Sequence, residues 1–188
     1  MAETVRAFFA IAPGGEVRDA LVRLAGGLAQ RTRGRASRPE SIHMTLAFVG
    51  EVDESQLDAL KAIGAALPDE GFDVVLDATG GFSRPQVAWV APSLIPAALS
   101  NLQRRLADEL AAGGFRVEAR AFAPHLTVAR KCEQVPERQA ITPIPWRVDA
   151  FALWGSALGS GGARYRELAV WRLRPVAAPD VGTEPSFG

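Results

Sequence analysis

The chain has 188 residues, 48% apolar and 22% charged, and its 21 basic residues balance 21 acidic ones. This suits one sizeable globular domain, and the zero net charge excludes bulk electrostatic binding to nucleic acid or an anionic membrane as an expectation. Cys132 is the single cysteine, so an internal disulfide is excluded and a Cys/His zinc site would lack ligands. No apolar run approaches the ~18 residues of a membrane span, and no basic-then-apolar leader is present. The chain therefore reads as a cytoplasmic monomer with no membrane partner, no metal and no cofactor. Its cationic side is skewed, with 19 Arg against Lys61 and Lys131, a bias that fits genome composition better than a phosphate-binding role.

Val5 to Ile11 reads as an apolar strand ended by Pro13-Gly14-Gly15. Val17, Leu21, Leu24 and Leu28 then recur at helical spacing, and this helix is expected to fray in the basic stretch Arg31 to Arg35. With Arg38, that stretch is either a solvated loop or a rim that meets RNA phosphates. A turn at Arg38 to Ser41 leads into a strand over Ile42 to Phe48, which Gly50 ends. Asp53, with Gln56 three residues on, caps a second helix whose buried stripe is Leu57, Leu60, Gly64 and Leu67. Pro68 to Gly71 stop it. Phe72 to Ala78 is a strand, Gly80 to Pro85 a loop and Gln86 to Ala91 another strand. Leu99, Leu102, Leu106 and Leu110 mark a third helix between Pro96 and the Gly113-Gly114 stop. Phe115 to Ala119 is a candidate short strand, followed by the strand after Pro124.

The remaining segments read as a proline-rich connection over Glu133 to Pro145, a strand over Trp146 to Trp154, and a mobile glycine-rich loop over Gly155 to Gly162. A closing strand covers Tyr165 to Leu173, and residues 175–188 read as a loosely held tail after a domain spanning 1–174. Strands and helices mix without a regular βαβ rhythm. That predicts an α+β fold with mainly antiparallel sheets.

The only two histidines lie in matched frames about 80 residues apart: Ile42-His43-Met44-Thr45-Leu46 and Pro124-His125-Leu126-Thr127-Val128. A strand sends residues i and i+2 to one face. His43 and Thr45 therefore point one way and Met44 and Leu46 the other, and the second copy repeats the pattern. Two apolar-backed strands, each offering an imidazole and a hydroxyl, suggest one site built from two halves. Imidazole titrates near 6.5, so at neutral pH one ring can be neutral while the other is protonated. In-line displacement at phosphorus needs that pairing: a base for the attacking oxygen and an acid for the leaving one. The threonine hydroxyls can donate to non-bridging oxygens. A lone histidine on a strand is usually structural, but matched frames argue otherwise. Cys132 has nothing nearby in sequence to activate it as a nucleophile, and the glycine clusters lack the Gly-Lys-Ser/Thr of a P-loop.

Paired His-x-Thr-hydrophobic motifs at this separation resemble the 2H phosphoesterase family, and within it the bacterial RNA 2′,3′-cyclic phosphodiesterases, also called 2′-5′ RNA ligases. The likeness runs from Val5 to about Leu173 and includes Arg6-Ala7-Phe8-Phe9-Ala10-Ile11, Gly81-Phe82-Ser83-Arg84-Pro85, Arg120-Ala121-Phe122-Ala123-Pro124-His125-Leu126-Thr127-Val128-Ala129-Arg130 and Gly161-Gly162-Ala163-Arg164-Tyr165. The resemblance implies two pseudo-symmetric lobes with antiparallel sheets lining a central cleft and helices outside. It implies metal-independent opening of RNA 2′,3′-cyclic phosphate ends to 2′-phosphates. His43 would be the proton donor to the 3′ oxygen, His125 the proton acceptor from water, and Thr45 and Thr127 the phosphate holders. Arg130 would neutralise phosphate charge, although unbroken alternation puts it opposite His125. Phe48 would stack a base, although alternation favours the core. Met44 stands where leucine is commoner and Ala47 where lysine is. The implied substrates are RNA ends, tRNA fragments among them, or cyclic nucleotides. The alternatives are 2′-5′ ligation or its reversal on tRNA halves, and a non-catalytic module that binds RNA ends or nucleotides.

Overall fold

The computed structural model describes residues 4–67, 70–118, 120–159 and 162–175. In chain order they form β1 (Val5–Ile11), α1 (Gly15–Thr32), β2 (Arg35–Ala36), a single 3-10 turn (Pro39–Ser41), β3 (Met44–Val52), α2 (Glu54–Ala65), β4 (Phe72–Phe82), β5 (Val87–Ala91), α3 (Ala97–Ala112), β6 (Leu126–Arg130), β7 (Gln139–Val148), β8 (Ala150–Gly159) and β9 (Gly162–Arg172). The strand order is β7-β4-β5-β6-β3-β1-β8-β9, with β2 paired to β6 off that path. All neighbouring strands run antiparallel. The fold is thus α+β with a mostly antiparallel open sheet, and the order reads as two four-stranded halves meeting at β6 and β3. In the sheet ladder these halves meet at a single residue pair, Met44 opposite Leu126.

Helix stripes explain which sheet face is covered. Leu99, Leu102, Leu106 and Leu110 of α3 are all fully buried, each stabilising the fold by about 1.5–3 kcal/mol. They share one core with Leu21 and Leu28 of α1, Leu57 and Leu60 of α2, and the apolar backs of the motifs, Met44, Leu46, Leu126 and Val128. The other face of β1 and β8 carries a separate cluster of Phe8, Ala10, Ala152 and Trp154, joined by Tyr165. At the head of α2 the predicted capping box is formed: Gln56 N–H donates to the Asp53 carboxylate at 3.0 Å, and the Asp53 N–H donates to the Gln56 side chain at 3.1 Å.

Five local expectations change. The proline-rich connection contains β7, and the single strand expected over Trp146 to Trp154 is two strands that break at Asp149. β7 ends the sheet, so Pro143 and Pro145 sit on an edge strand, where a missing N–H costs no ladder bond. The expected glycine loop is shorter than Gly155 to Gly162, because β8 continues to Gly159 and β9 starts at Gly162; residues 160–161 lie outside the described residues. β4 likewise runs through Gly80 and Gly81 to Phe82. Glycine is required there because a Cβ on Gly80 would sit 2.5 Å from the Trp89 ring. Finally, residues 115–118 form no strand. Ala119, residues 68–69 of the α2 stop and the tail from 176 on fall outside the described residues.

Candidate active site

The two motifs cross where the halves join. Met44 pairs with Leu126 in an antiparallel ladder, and continuing that register by one residue each way sets His43 across from Thr127 and Thr45 across from His125. Directly opposite residues on one face of such a pair have Cβ atoms about 4.5–5.5 Å apart. Met44, Leu46, Leu126 and Val128 are buried against the helices, while the two histidines and two threonines are partly exposed. The four side chains therefore share the uncovered face.

Both rings are held the same way. His43 Nδ1 donates to the Ser41 carbonyl at 2.9 Å and His125 Nδ1 donates to the Ala123 carbonyl at 2.8 Å, each two residues upstream. A carbonyl can only accept, so Nδ1 carries the hydrogen, which in the neutral form of a ring leaves Nε2 as an acceptor with no protein partner among the described residues. Among the described residues neither Thr45 nor Thr127 spends its hydroxyl on a protein partner.

A register shift in each half brings one more side chain into the site. Along β5, Val87 pairs with Arg130 and Trp89 with Thr127, with a shift in between. Val87 and Trp89 are two apart on a regular strand, so Arg130 and Thr127 lie on the same face. Along β1, Phe8 pairs with Phe48 and Ala10 with Thr45, again across a shift, so Phe48 joins Thr45 and His43. Arg130 and Phe48 occupy the same place, five residues after their histidine. The placement of Phe48 in the core is thereby corrected: it is 49% exposed and its ring centroid lies 5.9 Å from that of Phe8. The face assigned to Arg130 by unbroken alternation is corrected for the same reason.

The surroundings of the two rings differ. His43 sits among Phe8, Trp154 and Tyr165 at centroid distances of 4.9, 5.6 and 5.1 Å. His125 meets the edge of one ring, Phe82, at 5.1 Å. Burial among these rings lowers the His43 pKa from 6.5 to about 4; the Ser41 hydrogen bond opposes this, and the charges of Arg130 and His125 add to it. Alternation and spacing gave Phe8, Phe82, Trp154 and Tyr165 no site role, although Phe8, Phe82 and Tyr165 lie in the stretches that carry the family resemblance: the run Val5 to Ile11 does not say which phenylalanine faces the helices, and Trp154 and Tyr165 come from the distant β8–β9 hairpin. Among the described residues no three His, Cys, Asp or Glu side chains gather into a metal-binding group.

The lowered pKa links His43 to stability. The unfolded ring titrates at 6.5 and the folded ring at about 4, so between these values the unfolded chain binds more protons and stability falls as pH falls. Above 6.5 the effect vanishes. The slope is about 1.4 kcal/mol per pH unit, or up to roughly 2 kcal/mol lost by pH 5. His43→Phe, which suits an aromatic box, is expected to remove this loss. Urea unfolding of both proteins at pH 7 and pH 5 measures it, and equal pH dependence would contradict the burial argument.

The sequence pattern of the 2′-5′ RNA ligase superfamily matches residues 16–159. The RNA 2′,3′-cyclic phosphodiesterase of Escherichia coli is 30% identical over 92% of this chain and 99% of its own length. That of Methanothermobacter thermautotrophicus is 31% identical over 90% of this chain and 99% of its own. Among solved structures, Escherichia coli LigT complexed with 3′-AMP superimposes with a TM-score of 0.80 at 30% identity, covering 91% of this chain and 99% of that one. With its two crossed His-x-Thr strands on the same sheet architecture, the chain belongs to the 2′-5′ RNA ligase superfamily.

Proposed function

We propose that this protein is an RNA 2′,3′-cyclic phosphodiesterase that opens the cyclic phosphate to a 2′-phosphate by paired histidine acid–base catalysis, without a metal. The observation that supports the reading is the antiparallel crossing at Met44 and Leu126, which brings together two histidines and two threonines whose Nε2 atoms and hydroxyls have no protein partner among the described residues. The cyclic phosphate sits between the motifs. His125 takes the proton of the attacking water, whose oxygen bonds to phosphorus in line with the 3′ oxygen. The P–O3′ bond breaks, and His43 gives that oxygen its proton. The Thr45 and Thr127 hydroxyls donate to the non-bridging oxygens, and Arg130 balances the charge that grows there. Phe48, exposed beside Phe8, offers a stacking surface to the terminal base.

The lowered pKa of His43 fits the donor's role once substrate is bound. An anionic phosphate beside the ring favours its charged form, and a ring that holds its proton weakly in the unliganded protein releases it readily to a leaving alkoxide. Ligation would use the same site in the same direction, with an RNA 5′-hydroxyl in place of water, and its reversal would re-form the cyclic phosphate from the 2′-5′ linkage. The test is to incubate the protein with EDTA and a 2′,3′-cyclic nucleotide and follow the products by phosphorus NMR. Appearance of the 2′-phosphate alone is expected. A 3′-phosphate product, or turnover that EDTA abolishes, would overturn the reading.

A further inference from the structure

The short strand β2 occupies the same edge of β6 as β3 and sets Arg35 directly across from Arg130. Opposite residues of an antiparallel pair point to the same face, and like charges so placed repel. Arg130 lies on the face of Thr127, so Arg35 does too. The basic stretch is not a loose solvated loop at this point. Gly34 N–H donates to the Ala29 carbonyl at 2.9 Å, Ser37 N–H donates to the Val128 carbonyl at 2.8 Å, and a Cβ at Gly34 would lie 3.0 Å from the Arg130 carbonyl and the Cys132 sulfur. Arg33 is answered by Glu133 at 3.7 Å. Arg35 and Arg130, both exposed, have no acidic partner among the described residues. Two guanidinium groups held side by side at a cost, on the face of the histidines, fit an anion that comes from outside the chain.

Chemistry identifies the anion. A cyclic phosphate closes the 3′ end of its RNA, so every further phosphate of that substrate lies on its 5′ side. Resting on the function proposed above, we propose that Arg35, set across the sheet from Arg130, binds the phosphodiester on the 5′ side of the terminal nucleotide and so makes the enzyme favour RNA chains over cyclic mononucleotides.

The experiment compares wild type and Arg35→Ala on a short RNA ending in a 2′,3′-cyclic phosphate and on adenosine 2′,3′-cyclic monophosphate, which has no second phosphate. The ratio of kcat/KM for RNA to that for the mononucleotide is expected to fall about tenfold in the variant, through KM and not kcat. The dependence of log KM on log salt for the RNA should flatten by roughly 0.7, the share of one phosphate contact on a single strand. Arg35→Lys, which keeps the charge, should recover part of the ratio. Equal changes on both substrates, or none on either, would overturn the inference and leave the cyclic phosphodiesterase reading intact. A wild type that opens neither substrate overturns both. Because the ratio is internal to each protein sample, a partly unfolded variant does not alter it.

Discussion

Replacing either His43 or His125 with alanine is expected to lower kcat on a 2′,3′-cyclic phosphate by about 10²–10⁴-fold. The double replacement should cost little more than the worse single one, because the two rings act in one step. What separates them is the leaving group. A substrate with sulfur in place of the 3′ oxygen releases a thiolate that needs no proton, so the general acid becomes dispensable for it. His43→Ala should regain most of its lost rate on that substrate and His125→Ala should not. The opposite pattern would reverse the two roles, and equal deficits on both substrates would deny them a division of labour. The surroundings give this test its interest, since the motifs match in sequence while only His43 is enclosed by three aromatic rings.

Leu126→Ala is expected to lower stability by about 2–5 kcal/mol, a large part of the ~5–15 kcal/mol typical of a domain. It should also depress kcat in the fraction that remains folded. Leu126 is fully buried and lies in the single residue pair that joins the two halves of the sheet, between His125 and Thr127. A cavity there lets β6 shift against β3, and displacements near 1 Å are enough to cost large factors in rate. Leu102→Ala in α3 is the control: the residue is equally buried but lies on a helix outside both His-x-Thr strands, so it should lose comparable stability and keep its kcat. Urea unfolding with kcat measured at low temperature settles the comparison. Equal kcat values in the two variants would show that the junction does not set the geometry of the histidines.

Much of this site was legible from the repeat itself, because period-two alternation alone sorts His43 and Thr45 from Met44 and Leu46. Alternation failed where the strands carry an extra residue. Val128 and Ala129 are both buried before the exposed Arg130, and two apolar residues in a row followed by a charge are the mark of such a phase change. Phe48 follows the buried Leu46 and half-buried Ala47, but being apolar itself it leaves no such mark in the sequence. Proline hid β7, because a composition that forbids an inner strand is acceptable at an edge. The aromatic cage of His43 was out of reach for another reason: its members lie on three strands whose neighbourhood depends on sheet order, which no local pattern records. Arg35 shows the same limit, since its meaning comes from the residue opposite.

The sheet order has a consequence for synthesis. One half, β4 to β7, is drawn from a contiguous stretch, while the other takes β1 and β3 from the start of the chain and β8 and β9 from its later part. On the ribosome the contiguous half can close first. β1, an apolar strand, must wait with one edge bare until Ala152 to Ser156 emerge to pair with it, and long-range pairings of this kind are slow and prone to wrong partners. The wall of Trp154 and Tyr165 around His43 is then the last part of the histidine face to assemble, so a nascent chain stopped before β8 would carry both histidines and still lack the setting that distinguishes them.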